Sequence, residues 1–461
     1  MSYYNENAIK IKDELEKTSP SFCLAKWTQV TIHLQNGLTH SCHHPTPHKI
    51  PIEELKDNPY ALHNTQFKIE QRKQMLTGEY PDECNYCWNI EKLGKDHLSD
   101  RHFKSAEYWS SEYLEDVLKD PLRTDFLPTY VEVSFSNVCN FSCMYCSPQV
   151  SSKWQDDVRR NGPYNLGDFN HADLAYLDQK GLVPIPERED NPYVDAFWKI
   201  WPELYKKLRV FRITGGEPLL SKHTWKILEY IRENPNPQIE ILINTNLCVD
   251  DVFIDRLIDL GKDLVANKKV KRFELYTSLE SEGTQAEYIR PGLNYEKFID
   301  NLIKVTTQIP MIKWRSKVVI MATYNLLSIP RFRKLLEWLI SYREQYANES
   351  WKKVWLDISY LRYPSWQTVA LANDEMLKII KEDLQFMQDN DQDKIGHQGF
   401  QDTEISKFAR MYEYAVNNQL SNSSIEYTRF YNFFREHDAR KGYNFVETFP
   451  ELKEFYNACK S

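Results

Sequence analysis

Glycine is scarce in this chain, at 14 of 461 residues, which excludes a low-complexity or linker-rich protein. No run approaches the roughly 18 consecutive apolar residues that a membrane-spanning helix needs. An excess of positive charge is also lacking. Lys and Arg total 58 against 66 Asp and Glu, a formal net charge of −8, which argues against indiscriminate nucleic-acid binding and makes an RNA substrate a disfavoured reading. The opening "MSYYNENAIKIKDELEKTS" carries acidic residues and no apolar core, so it does not read as a secretory signal. A soluble, cytoplasmic protein is the expectation.

Nine cysteines are present, seven of them in two sets before residue 147. In a cytoplasmic chain such sets point to metal ligation rather than to disulfides. The first set is Cys23, Cys42, Cys84 and Cys87; the second is Cys139, Cys143 and Cys146, spaced C-x3-C-x2-C in "SNVCNFSCMYCSP". Soft thiolates select zinc or iron–sulfur clusters. Zinc would borrow a fourth ligand from elsewhere. A cubane accepts three protein thiolates if its fourth iron binds a substrate or cofactor. Both options stay open on spacing alone.

The chain changes character along its length. Residues 1–20 read as a polar helical lead-in. Residues 21–110 are rich in Cys, His, Pro and Asn and poor in apolar periodicity, so little core of their own is expected and a metal centre would supply stability. Within them "WTQVTIHL" followed by "NG" reads as a strand and turn. From 125 to 365, strand-like runs alternate with helical stretches: "VEVSF", "VFRIT", "IEILINT", "RFELYTS", "KVVIMAT" and "KVWLDISY". Such alternation implies an α/β fold with a parallel sheet, open or curled into a partial barrel. A long insertion at about 160–200 separates the first two strands. Residues 370–461 read as a helical C-terminal region.

"CNFSCMYC", with Tyr145 before its last cysteine, resembles the signature of the radical S-adenosylmethionine superfamily. "FRITGGEPLL" at 211–220 resembles that superfamily's motif at the end of the second strand. The resemblance implies a partial (βα)6 TIM-like barrel and a [4Fe–4S] cluster on Cys139, Cys143 and Cys146. The free iron would chelate S-adenosylmethionine, and one-electron cleavage would give a 5′-deoxyadenosyl radical that abstracts hydrogen from substrate. It further implies that Gly215, Gly216 and Glu217 approach the methionine ammonium. Asn244, Asn246, Ser278, Glu280 and Asn325, near the ends of the next strands, would line the cofactor together with Tyr145. Arg290 in "EYIRPGLNYEKF" would meet a carboxylate.

Cys23 and Cys42 stand as C-x13-G-x4-C around Gly37, and "CNYCWNIE" supplies Cys84 and Cys87. This resembles the SPASM and twitch modules that carry an auxiliary [4Fe–4S] cluster, with zinc as the alternative. Such modules usually follow the barrel; here the module precedes it. His33, His40, His43, His44 and His48 read as surface or supporting residues rather than ligands.

Strand alternation assigns Val354, Leu356 and Ile358 to one side and Trp355, Asp357 and Ser359 to the lumen. Asp357 is a candidate substrate-binding group or base, and Cys248 a candidate hydrogen donor that more often would be structural. Glu132, Glu274 and Arg272 are expected to pair with one another below the site. The substrate expected is a peptide or protein side chain; a sugar-like small molecule, dehydrogenated with the auxiliary cluster as electron acceptor, is the alternative. An external donor such as flavodoxin or ferredoxin would supply electrons. A non-catalytic iron–sulfur or zinc protein is the reading from another class.

Overall fold

The runs of β-branched residues become strands where the sequence placed them. In chain order the computed structural model has β1 (Gln29–His33), β2 (Leu38–His40), β3 (His48–Lys49), β4 (Tyr130–Ser134), β5 (Tyr164–Asn165), β6 (Asn170–His171), β7 (Val210–Thr214), β8 (Asn236–Asn244), β9 (Val270–Ser278), β10 (Ser316–Tyr324) and β11 (Val354–Tyr360). The structure describes residues 3–94, 97–346, 351–420 and 423–460; the outermost ends of the expected lead-in and C-terminal region lie outside these.

Two compact units divide the chain. One comprises Met1–Ser136, Pro184–Gly215 and Asn236–Leu242; the other comprises Asn137–Val183, Gly216–Pro235 and Ile243–Ser461. This differs from a boundary drawn between a cysteine-rich module and a barrel. The reason is strand pairing. In the first unit β1 pairs in parallel with β4, and β4 in parallel with β7, while β2 and β3 add antiparallel strands beyond β1. The N-terminal strand thus continues the sheet that the first α/β strands begin. Asn36 and Gly37 turn the chain between β1 and β2. Gly37 has φ +65° beneath the Tyr193 ring, where any side chain would collide.

The first unit also has a larger core than its sequence promised. Phe22, Leu24, Trp27, Met75, Trp88 and Phe126 pack together, with Cys23, Cys84 and Cys87 against them. The helix Gln66–Leu76 hides this in the sequence, because its buried residues are Lys68, Arg72 and Met75. Lys68 Nζ donates to Thr39 Oγ1 at 2.7 Å and Arg72 Nη1 to Asn64 Oδ1 at 2.8 Å.

In the second unit β9, β10 and β11 run parallel in register. Helices Lys222–Glu233, Asp251–Ala266, Tyr295–Gln308 and Phe332–Tyr346 alternate with the strands. Ser221 and Asn294 cap two of them by accepting from the His223 and Lys297 amides. Val354, Leu356 and Ile358 are buried, as alternation required. The insertion folds as helix Ser152–Asn161, the β5–β6 hairpin and helix Leu174–Gln179, followed in the first unit by helix Pro192–Lys207. The C-terminal region is helical, with Asp374–Asp389, Asp402–Asn417 and Ser424–Lys441 its longest members. No helix among the described residues is long and apolar enough to cross a membrane.

Of the expected mutual pairing of Glu132, Glu274 and Arg272, the Arg272–Glu274 pair forms and only the place of Glu132 is corrected. Glu132 pairs with Arg212 on the adjacent strand at 3.8 Å, while Glu274 takes Arg272 and Lys317, each at 3.5 Å. Neighbouring strands put a cation beside each carboxylate locally.

Candidate active site

The loop after β4 is pinned by its apolar and backbone groups, which leaves its cysteines for other work. Phe141 and Met144 are buried. The Ser142 and Met144 amides donate to Pro291 O at 2.9 Å and Ile289 O at 3.0 Å. Ser151 Oγ donates to Phe141 O at 2.6 Å and Trp154 Nε1 to Cys143 O at 2.8 Å. Between these anchors stand Cys139, Cys143 and Cys146, all partly exposed. Burial pushes all three thiols up, Cys146 to about 12. They stay protonated at neutral pH until a cation draws the protons off, so loading the site releases protons.

Tyr145, Glu280 and Arg290 come together beside Cys143. Arg290 Nε donates to Glu280 Oε2 at 2.7 Å, and Nη1 lies 3.4 Å from Cys143 Sγ. Arg290 Nη2 also pairs with Glu280 Oε1 and the Tyr145 hydroxyl. Tyr145 Oη donates to Glu280 Oε1 at 2.7 Å. Burial works against the Arg290 charge, and Glu280, Tyr145 and Cys143 more than offset it, so the guanidinium stays protonated. The guanidinium expected to meet a cofactor carboxylate therefore meets Glu280, a fully buried carboxylate that needs a partner of its own.

Gly215 closes β7 beside Ser134. A Cβ on Gly216 would lie 2.3 Å from Val138 O, so this glycine admits the backbone of the cysteine loop itself. Glu217 is buried, with three donors: Thr245 Oγ1 at 2.8 Å, the Asn246 amide at 2.6 Å and the Leu219 amide at 3.0 Å. It caps the short 3-10 turn Pro218–Leu220, while Ser221 caps the helix that follows. Burial pushes its carboxyl up to about 7 against those donors. A cation alongside would restore the carboxylate.

Asn246 bridges from Glu217 to the cysteine loop, donating to Asn140 Oδ1 at 2.7 Å. Asn244 donates to Met321 Sδ at 3.7 Å. Met321 lies opposite Ser278 on one side and Asp357 on the other, so Ser278 and Asp357 share one row across the strands. Asp357 accepts from Lys407 of the helix Asp402–Asn417 at 2.6 Å. Cys248 is buried, its sulfur 3.5 Å from both the amide and the carbonyl of Asn294. Asn325 is fully buried. It caps the turn Leu326–Arg331, accepting from the Leu327 amide and donating to Thr323 O.

A cavity of about 900 Å³ opens at the last cysteine. It is lined by Tyr145–Val150, by Phe169, His171 and Tyr176 of the insertion, and by Tyr363. Sequence reasoning missed these residues. The rings carry no spacing signal, since Tyr363 is distant in the chain from the insertion. Neither Asp357 nor Cys248 lines this cavity.

In the first unit Cys23, Cys42, Cys84 and Cys87 line one cavity together with Lys26 and Arg101. Lys26 pairs with Glu83, and Arg101 clasps Glu91 at 2.7 and 3.0 Å. Burial raises all four thiols, Cys84 and Cys87 to about 11. Among the described residues no three Cys, His, Asp or Glu side chains stand close enough to hold one ion. His33 and His40 face each other at 3.3 Å between ring nitrogens.

Residues 133–310 match the Radical SAM superfamily. Over 293 residues the chain is 20% identical to a GTP 3',8-cyclase of Sulfurimonas denitrificans, covering 63% of this chain and 73% of that protein. Over 117 residues it is 29% identical to the GTP 3',8-cyclase of Helicobacter pylori and 30% to that of Klebsiella pneumoniae. Those two alignments span only 27% and 26% of the relatives' length. Residues 133–310 thus carry a radical SAM domain, and this domain together with the cyclase relatives supports an enzyme, its subclass left open. The superfamily implies a [4Fe–4S] cluster and S-adenosylmethionine.

Proposed function

We propose that the chain cleaves S-adenosylmethionine reductively at a cluster held by Cys139, Cys143 and Cys146 and takes hydrogen from an organic substrate beside Cys146. One observation carries this: three partly exposed cysteines in an anchored loop, with a substrate-sized cavity opening at the last of them. When bound, cluster and cofactor supply one-electron cleavage of the S–C5′ bond and a 5′-deoxyadenosyl radical. The chain's part is to bind and orient. Glu217 offers a buried carboxyl to an ammonium, and Asn244, Asn246 and Ser278 present short polar side chains at the strand ends. An external flavodoxin or ferredoxin would be the electron donor.

The substrate classes are a peptide side chain and a sugar-like small molecule; the relatives' name raises GTP as a third. The cavity lining has neither Lys nor Arg, which speaks against a triphosphate there.

We read Cys23, Cys42, Cys84 and Cys87 of the first unit as ligands of an auxiliary [4Fe–4S] cluster, on the ground that all four line one cavity. In a tetrahedral zinc site, bonds of about 2.3 Å would set sulfurs roughly 3.8 Å apart. A cubane holds its thiolates further apart around a larger body, and four cysteines lining one cavity are compatible with it. The buried cations Lys26 and Arg101 would balance its charge. Anaerobic reconstitution is expected to give roughly eight irons and eight sulfides per chain. Replacing Cys139, Cys143 and Cys146 together by Ala should remove about half. One zinc with four irons would overturn the auxiliary cluster and leave the radical site standing.

Glu217→Gln is expected to weaken S-adenosylmethionine binding about 10- to 150-fold with iron unchanged, the loss of one charge-assisted contact. It should also lower the melting temperature, because an amide would face the Asn246 N–H. Cofactor titration followed by electron paramagnetic resonance measures the first effect. A lowered melting temperature with unchanged affinity would confine Glu217 to holding the loop.

A further inference from the structure

The insertion between β4 and β7 builds a wall that the cofactor chemistry does not require. Phe169, Tyr176 and Tyr363 are large rings, 36%, 56% and 64% exposed, yet all three line the cavity beside Cys146. Arg429 lies over one face of Phe169 and Lys180 over one face of Tyr176; aromatic surface that stays exposed in a concavity marks a ligand with a flat apolar face. Between them sits His171, only 5% exposed, whose Nε2 has no hydrogen-bond partner. Trp154, Trp366 and Phe433 stand edge-on around its ring at 6.0, 5.0 and 6.1 Å between centroids. Burial pushes it down to about 4, so it is neutral at pH 7. A buried polar atom without a partner calls for one from a ligand. Ala172 follows at φ +64°, a left-handed conformation that a residue with a Cβ rarely adopts and that marks functional turns.

The remaining polar lining fixes the class. Gln149 and Asn170 supply amides, and among the described residues no Lys or Arg lines the cavity; Lys180 and Arg429 stack on Tyr176 and Phe169, Arg429 already paired with Asp168 and Glu426. Its one carboxylate, Asp173, accepts from the Ala175 amide at 2.9 Å. We propose that this cavity binds an uncharged sugar ring: the C–H face of a pyranose against the open rings, its hydroxyls on His171 Nε2 and the two amides. This deepens the proposed function, since it names the substrate class of the same site. The volume, about 900 Å³, falls within the range of roughly 300–1,000 Å³ usual for small-ligand pockets.

The test is isothermal titration of the reconstituted full chain with the methyl glycosides of glucose, galactose and mannose, and with an uncharged tetrapeptide and GTP for comparison. At least one glycoside is expected to bind. Tyr363→Ala and Tyr176→Ala, both at exposed positions, should each weaken it up to about tenfold with the melting temperature unchanged. His171→Phe should weaken it while keeping the ring stack. Binding of no glycoside, binding of the peptide or GTP in its place, or glycoside binding indifferent to both tyrosines would overturn the proposal. The radical reading has its own readout. A chain that binds glycoside but never releases 5′-deoxyadenosine would sink that reading alone, and one that releases it while binding the peptide would sink this one alone.

Discussion

Cys143→Ala should abolish S-adenosylmethionine cleavage and remove the iron of the loop while the protein stays folded. The sulfur stands among three thiols of one loop and accepts from the Arg290 guanidinium at 3.4 Å. The loop is held by other groups: buried Phe141 and Met144, the Ser151 hydroxyl, and the Trp154 indole, which bonds the Cys143 carbonyl rather than its side chain. Truncating one atom there is expected to cost about 1 kcal/mol or less, within the ordinary range for a position away from the core. Two thiolates cannot hold a cubane that three were placed to hold, so the chemical loss should be complete. Circular dichroism melting and product chromatography separate the two effects. A variant that still releases 5′-deoxyadenosine, or one that unfolds, would contradict this division.

Arg290→Ala should be the most destabilising single change at the site. Glu280 is fully buried, and Arg290 is its charge partner. Removing the guanidinium leaves a carboxylate out of water without a cation, which costs about 3–5 kcal/mol. The Tyr145 hydroxyl and the Thr323 amide at 3.3 Å remain as donors, too few to replace an ion pair. The double variant Arg290→Met with Glu280→Gln should recover much of the loss, since neither charge is then stranded. Urea melts of the single and double variants give the comparison. Equal stability of Arg290→Ala and the parent chain would refute the role assigned to the pair.

The alternating strands were legible because β-branched runs such as "KVVIMAT" fit little else, and the cysteine loop because three thiols at that spacing carry a chemical meaning. Other features lay outside what a linear reading reaches. Arg290 and Glu280 were each read as cofactor contacts; that they bind each other depends on burial, which pattern alone does not give. The helix Gln66–Leu76 looks like a surface segment, since two of its buried residues are the cations Lys68 and Arg72. The pairing of β1 with β4 across a long stretch of chain is likewise beyond a linear reading. The cavity wall was missed for the same reason: Tyr363 meets the insertion only in the fold. Asn325 looked like a ligand at a strand end, whereas its amide is spent as a cap.

The central claim is that the loop of Cys139, Cys143 and Cys146 turns over S-adenosylmethionine. Anaerobically reconstituted protein, reduced and incubated with the cofactor, should be resolved by chromatography and mass spectrometry for 5′-deoxyadenosine and methionine. Both products are expected in equal amounts, formed only with reductant present. Protein that carries the loop cluster, is reduced, binds the cofactor and yet releases neither product would contradict it.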